Sequence, residues 1–397
     1  MSWRTRTVSA AVGGTALVAG AAGWRFAERV LEPQRHADAL DDQGCEGTVD
    51  VVRAETTSVT LRGPRAAVPG RWGLAWPGGY LQVGAPTAIT GDAVTRPVLR
   101  RFQGTLAAGA TAVLDSHAYP PDPGVLGLPW REVTYHSPAG GFAAWEIGPR
   151  AGRSADAWAV VVHGRGGRRT EGLRLVPALA EAGLTSLVIS YRNDRGAPAS
   201  PDGLCHLGHS EWQEVEGAVV YALAHGARRV LLVGSSMGGT AVLTFLRASA
   251  HSDAVCGSVL DAPVLHWPSV LRRGAAEAGV LPALLPLLLP ATLAVARVRA
   301  GIDWRALDHR THVGPLRPVL LIHGADDDRV PVGPSDAFAR QRPHLVRYVR
   351  VPGAGHIQSW NVDPEGVERE LRAFVASLQR ERRWSRGRAR LPAGRRS

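Results

Sequence analysis

Ser236 is the residue in this sequence best placed to act as a nucleophile. It lies in Val230-Leu-Leu-Val-Gly234-Ser-Ser236-Met-Gly238-Gly239, with Gly234 two positions before it and Gly238 two positions after it. The run leading in is apolar, as a buried strand is, and Thr240–Arg247 behind it has the pattern of a helix. A serine between two such glycines, at a strand-to-helix junction, fits a nucleophile elbow, a turn so tight that a Cβ at either flanking glycine would clash. The junction also sets the hydroxyl at a helix N-terminus, where free N–H groups stabilise developing negative charge. Only Ser236 has glycine on both sides, which sets the register against Ser235. Two other groups offer different chemistry. His163-Gly-Arg165-Gly-Gly167 follows the apolar run Trp158–Val162, but no Lys-Ser/Thr follows it, so a phosphate cradle is poorly supported. His206 and His209 have H-x-x-H spacing without a third ligand placed nearby, which reads as structural or pocket-lining rather than metal-binding.

Taken together, these segments resemble the α/β-hydrolase family, whose catalytic residues follow in the order Ser, acid, His, each after a strand. Val319-Leu-Leu-Ile-His323-Gly-Ala-Asp-Asp327-Asp-Arg-Val-Pro331 resembles the family's strand followed by H-G-x-x-D-x-x-V-P, which implies Asp327 as the acid. Asp326 and Asp328 flank it and could substitute for it. Val351-Pro-Gly-Ala-Gly355-His356 resembles the family's histidine loop after the last strand, which implies His356 as the base. The His163 loop resembles the family's oxyanion-side H-G-x-G, so the resemblance implies oxyanion donors from the backbone N–H groups of Arg165 and Met237. The implied mechanism is that of a serine hydrolase working through an acyl-enzyme, with no cofactor and no metal. The resemblance covers residues 130–380 or so and does not separate a carboxylesterase or lipase from a serine aminopeptidase or prolyl-oligopeptidase-like enzyme. A catalytically silent envelope binding module on the same fold is the alternative outside enzymes, although the intact Ser–Asp–His set speaks against it.

The elements that must position these residues are also visible. Beyond Pro129, apolar runs at 158–163, 185–191, 229–234, 254–260, 318–323 and 345–351 alternate with helical stretches at 170–182, 210–226, 237–249, 334–341 and 364–379. That alternation predicts a mostly parallel, doubly wound α/β sheet covered on both faces, preceded by two antiparallel strands at 131–136 and 142–147. The fold class expected is thus an α/β-hydrolase fold with a helical cap insertion and an N-terminal β-rich segment. Residues 48–115 hold short Val/Thr/Leu/Trp runs punctuated by Gly and Pro, the signature of a small all-β unit. The expected boundaries are 1–24 for an anchor or signal segment, 25–128 for a helix, linker and β-rich region, 129–380 for the hydrolase domain with a cap at 262–312, and 381–397 for a basic disordered tail. In the cap, Ala278–Ala296 is uncharged but interrupted by Pro282, Pro286 and Pro290, which would damage a membrane-spanning helix. It is expected to be lid, with Leu287, Leu288 and Leu289 facing a largely apolar acyl group.

Composition narrows the field further. The chain of 397 residues, 45% hydrophobic and 20% charged, is an ordinary globular protein; wholesale disorder, collagen-like repeats and a disulfide-stapled miniprotein are excluded. The net charge of +11 is carried by Arg alone, and much of it sits in eight Arg between Arg380 and Ser397. No nucleic-acid-reading module accompanies that run, so it reads as a solvated tail or as attraction to anionic lipid, and no nucleic-acid partner is expected. Thr7–Trp24 is uncharged and follows Arg4 and Arg6, the layout of an uncleaved anchor, a cleaved signal or an apolar helix. Cell-membrane attachment is the expected location, with secreted or cytoplasmic forms as alternatives. Of three cysteines, Cys256 lies in an apolar strand-like run, and Cys45 could pair with Cys205 in an exported protein. The substrate expected is a small ester or peptide; oligomeric state is not legible.

Overall fold

Antiparallel pairing dominates the first part of the chain and parallel pairing the rest. The computed structural model describes residues 20–34, 45–149, 156–311 and 317–388. The expected anchor or signal segment therefore lies outside the described residues except for 20–24, as does the basic tail beyond 388. A helix, α1 (20–31), is followed by β1 (Cys45–Ala54), β2 (Ser58–Arg62), β3 (Trp72–Trp76), β4 (Gly79–Val83), β5 (Ala88–Thr90), β6 (Ala93–Gln103) and β7 (Thr111–Asp115). Their order is β2-β1-β7-β3-β4-β6-β5, and β2 also pairs with β6, so six strands close into a barrel with β5 appended. The long β6 makes closure possible: Ala93–Pro97 pairs with β2, and Val98–Gln103 pairs with β4 across two register shifts. Val49, Leu61, Trp72, Leu74, Leu81 and Leu114 fill the interior. Arg96 is fully buried in this unit. Its guanidinium donates to the carbonyls of Gly84 (2.8 Å), Ala66 (3.0 Å), Val68 (2.8 Å) and Gly70 (2.8 Å), pinning the loop between β2 and β3.

The second sheet holds β8 (Trp130–Ser137), β9 (Gly140–Ile147), β10 (Ala157–Val162), β11 (Thr185–Ile189), β12 (Arg229–Ser235), β13 (Val255–Asp261), β14 (Val319–Gly324) and β15 (Val346–Val351). Helices α2 (Val176–Glu181), α3 (Trp212–Ala224), α4 (Met237–Ala248), α5 (Trp267–Glu277), α6 (Leu285–Ala300), α7 (Gly333–Gln341), α8 (Ser359–Val362) and α9 (Pro364–Arg388) connect and cover it. The strand order is β15-β14-β13-β12-β10-β11-β9-β8; the β8–β9 and β9–β11 pairs are antiparallel and all other neighbours, β10–β11 included, are parallel. The expected α/β-hydrolase fold is present. Successive strand residues serve opposite faces: Val160 and Leu232 pack under Val215, Val219 and Phe245, while Val161 and Leu231 pack under Leu179, Leu371 and Phe374.

Two elements differ from the sequence expectation. The helix expected over 170–182 is a 3₁₀ turn, Arg169–Arg174, followed by α2, because Pro177 lacks an N–H and starts a new helix. The last helix runs on to Arg388, into the region read as tail; once nucleated by its packed portion, a helix extends readily through Arg, Glu and Ser. Between β13 and β14, α5 and α6 form the cap. The stretch Pro282–Ala300 is long and apolar enough to cross a membrane, with mean hydropathy 1.5, and only 28% of it is buried. Yet β13 and β14, which it joins, pair residue by residue from Ser258 opposite Val319 to Asp261 opposite Ile322. A single crossing would put hydrogen-bonded strands on opposite sides of a bilayer, so this stretch does not span.

Candidate active site

The elbow is built from backbone constraints. Ser236 has φ 49°, a left-handed value that costs a non-glycine residue energy and is held by its surroundings. Its N–H donates to the Asp261 carbonyl at 2.9 Å, and its own carbonyl accepts from Val264 at 3.2 Å. A Cβ on Gly234 would lie 2.7 Å from the Gly238 oxygen, and one on Gly238 would lie 2.4 Å from the Val162 oxygen. Both glycines are therefore required by close approach. Ser235, by contrast, ends β12 opposite Asp261.

From this turn a line of hydrogen bonds runs through residues distant in sequence. Ser236 Oγ lies 3.0 Å from His356 Nε2, and His356 Nδ1 lies 2.7 Å from Asp327 Oδ2. Asp327 is buried, whereas Asp326 and Asp328 are exposed, so only the middle residue of the triplet faces the imidazole. Asp327 Oδ1 accepts the N–H groups of Arg329 (2.9 Å) and Val330 (2.7 Å), and Oδ2 is 3.1 Å from His323 Nε2. Burial works against its charge, but the contacts from His323, His356 and the Val330 N–H outweigh it and hold the carboxyl well below its usual range.

The His163 loop closes over the same serine. A Cβ on Gly164 would lie 3.1 Å from Ser236 Cβ. His163 Nε2 is 2.9 Å from Asp194 Oδ2 and its Nδ1 is 2.9 Å from the Gly164 carbonyl. Both partners accept hydrogen bonds, an arrangement that favours the protonated ring of His163. Burial pulls its pKa down, and the Asp194 carboxylate more than reverses this. Tyr191 stacks on the ring at 4.4 Å and donates to the Gly164 carbonyl at 2.7 Å, while Glu171 accepts the Gly164 N–H at 3.2 Å. Met237 is the first residue of α4, where a helix leaves its N–H groups without intrahelical partners. Arg165 borders the cavity above Ser236, and its side chain donates to the carbonyls of Arg29 (3.2 Å) and Glu32 (2.9 Å) at the end of α1.

Residues 159–370 match the alpha/beta hydrolase family. The chain belongs to the α/β-hydrolase family. Residues 48–115 match a domain of unknown function, the barrel described above. An uncharacterized protein of Mycobacterium tuberculosis is 30% identical over 235 residues, covering 58% of this chain and 73% of that relative. An esterase of Pyrococcus furiosus superposes with TM-score 0.51 at 18% identity, over 65% of this chain and 94% of that one, a likeness of fold. Est1E from Butyrivibrio proteoclasticus is similar at TM-score 0.47 and 17% identity, over 62% and 98%.

The cavity of this α/β-hydrolase chain, about 450 Å³, opens above Ser236 and His356. Trp267 and Val270 of α5 form its apolar wall; Glu171 and Arg174 form a charged one. Leu287, Leu288 and Leu289 do not line it, which corrects the expectation for the cap. The reason is proximity: α5 leaves directly from the end of β13 beside the elbow, whereas α6 is a helix further out. The barrel contributes Ser116 and His117 from the turn after β7. His117 Nδ1 is 2.8 Å from Asp115 Oδ1, and Asp115 Oδ2 accepts the Tyr80 hydroxyl at 2.5 Å. Sequence reading missed these barrel residues, since nothing in their spacing ties them to Ser236. His323, which stands in the Val319–Pro331 segment, and Asp194 carry no sequence signal of their own; their partners become visible only in three dimensions. Of the H-x-x-H pair, His206 contacts Asp202 (2.9 Å) and Ser210 (2.6 Å), and no group of three metal-type ligands occurs among the described residues. Cys205 is a free, buried thiol beside Met237 Sδ at 3.6 Å, and burial pushes it up to about 12.

Proposed function

We propose that the protein is a serine hydrolase that cleaves an ester through an acyl-enzyme. The observation that carries this reading is the continuous Ser236–His356–Asp327 hydrogen-bonded line at the base of the cavity. His356 Nε2 takes the Ser236 proton as Oγ attacks the ester carbonyl, and Asp327 holds the imidazole in the tautomer that leaves Nε2 free to accept. The backbone N–H groups of Met237 and Arg165 receive the negative charge on the carbonyl oxygen. Collapse of the tetrahedral intermediate returns the proton to the leaving alcohol; water, deprotonated by His356, then releases the acid and regenerates Ser236. The esterase activity of the Pyrococcus furiosus protein supports an ester rather than another acyl donor. Trp267 and Val270 suit an apolar acyl group. Glu171 and Arg174 favour a second reading, a serine peptidase, because a charged wall can hold the polar groups of a peptide. Parallel assays on acyl esters and peptide amides separate the two. Faster turnover of esters, abolished by Ser236→Ala, is the expected result; faster turnover of amides would transfer the assignment to the peptidase.

We propose in addition that the protein is held at the cell membrane through residues 1–24. The support is the uncharged run Thr7–Trp24 behind Arg4 and Arg6, with Trp24 and Arg25 at the edge where aromatic and basic side chains suit the interface.

A further inference from the structure

Glycine leaves the oxyanion-side loop with a single handle. In Gly164-Arg165-Gly166-Gly167 only Arg165 carries a side chain. These residues form a turn closed by the Gly167 N–H on the Gly164 carbonyl at 3.1 Å, with Gly166 at φ 68°. The Arg165 N–H takes no part in that bond. The base of the turn is fixed at Gly164 by Glu171 and Tyr191. Glycine restrains a backbone least of all residues, so the tip depends on what the Arg165 side chain grips.

What it grips is the C-terminal end of α1. The guanidinium donates to the carbonyls of Arg29 at 3.2 Å and Glu32 at 2.9 Å. A helix end offers such carbonyls without intrahelical donors and carries partial negative charge, which suits a cation. A second contact leaves the same end: the Leu31 carbonyl accepts the Cys205 N–H at 2.8 Å, and Cys205 Sγ lies 3.6 Å from Met237 Sδ. The helix therefore reaches both residues whose N–H groups are assigned to the oxyanion, Arg165 directly and Met237 through Cys205. It is itself firmly seated. Gly23, Ala27 and Leu31 recur every four residues and share one face. A Cβ on Gly23 would meet Ala291 Cβ at 2.7 Å, Ala27 and Leu31 are fully buried, and Glu28 pairs with Arg299 of α6 at 2.9 Å.

We infer that Arg165 is a positioning residue for the proposed hydrolysis: its guanidinium, seated on the end of α1, holds the Gly164–Gly167 turn so that the Arg165 N–H meets the oxyanion. The N-terminal helix is then a working part of the active site. This rests on the serine-hydrolase reading above.

Three variants of the full-length protein test it. Arg165→Met keeps the backbone N–H and removes the grip, Arg165→Lys keeps a cation with a compact head, and Leu31→Ala loosens α1 without touching the turn. For each, kcat and KM on an acyl ester are measured per site titrated with a fluorophosphonate, together with Ki for a trifluoromethyl ketone. Ser236 Oγ adds to the carbonyl carbon of that ketone, its proton passes to His356, and the resulting oxyanion sits against the same donors. Arg165→Met is expected to lower kcat about 10- to 100-fold, short of the roughly 10²–10³ lost when an oxyanion donor is removed outright. KM is expected to stay within about threefold, and the ketone to weaken by the same factor as kcat/KM. Arg165→Lys is expected between parent and Arg165→Met. Leu31→Ala is expected to show the same pattern more weakly and to add little to Arg165→Met in the double variant. Should Arg165→Met fail to fold, Arg165→Lys and Leu31→Ala give the same readout. Where Ser236→Ala abolishes turnover, a kcat and Ki within about twofold of the parent overturn the positioning role and leave hydrolysis intact. A lower kcat with unchanged Ki does the same, as does a rise in KM alone, which would make Arg165 a substrate contact. A parent that turns over neither ester nor amide overturns both readings.

Discussion

Asp327 stands between two imidazoles, His356 toward Ser236 and His323 behind, and both of its oxygens are engaged by these rings and by backbone N–H groups. Its charge fixes the His356 tautomer, so Asp327→Asn is expected to lower kcat on the order of 10⁴-fold, the loss typical when a triad acid becomes an amide. The equivalent changes at exposed Asp326 and Asp328 are expected to leave turnover close to that of the parent. Stability carries a second signature. A carboxyl whose pKa is depressed on folding contributes stability above its unfolded value, about 3.9, and loses it as pH falls toward the folded value. The stability gap between parent and Asp327→Asn, measured by denaturant unfolding, is therefore expected to be widest near neutrality and to close in strong acid. A gap independent of pH would mean that the carboxylate is not preferentially stabilised. At this scale the sequence was highly informative: the elbow glycines pointed to a single serine, and the H-G-x-x-D spacing to Asp327 with Asp326 and Asp328 left as substitutes until burial separated them. The supporting contacts from His323, Asp194 and Glu171 were not legible, because hydrogen-bond partners across loops leave no periodic trace.

Among the elements, the barrel depends on a single buried guanidinium. Burial brings Arg96 down to about 10, and its partners are carbonyls rather than a carboxylate. Arg96→Met would leave those carbonyls without their donor, and the expected cost is at least about 3 kcal/mol of unfolding free energy. Chemical denaturation checks this; a change within error would show that the loop between β2 and β3 finds other donors. The strands of this unit were readable from their Gly and Pro punctuation. Closure was not, since it depends on one bent strand, β6, pairing on two sides, and an arginine in a strand pattern reads as a solvent-facing position. The cap misled differently. Uncharged leucines near the elbow suggest a lid lining, but α5 occupies the place next to the elbow, and in α6 Leu287 is exposed while Leu288 is buried away from the cavity.

Across the whole molecule, the barrel and the hydrolase domain meet at Asn361 of α8. Its Nδ2 donates to the Arg71 carbonyl at 2.9 Å and the Ser116 carbonyl at 2.8 Å, and Arg71 pairs with Glu365 at 2.7 Å. Because Ser116 and His117 border the cavity, this junction couples barrel docking to the shape of the site. Asn361→Leu removes the donor to the Arg71 carbonyl and leaves the Ser116 carbonyl only the longer contact from Arg174 at 3.5 Å, and is expected to cost about 1–3 kcal/mol and to lower kcat/KM while Ser236 remains reactive. Unaltered kcat/KM in a destabilised variant would show that the barrel is only an attachment. Sequence alone located both units but not their contact, which joins residues far apart in the chain. Covalent labelling by a fluorophosphonate tests the catalytic reading most directly. One equivalent of label on Ser236, retained in Ser235→Ala and lost in a Ser236→Ala variant that unfolds at the parent's temperature, is the predicted result; label that persists in Ser236→Ala, or a folded parent that takes none, would contradict it.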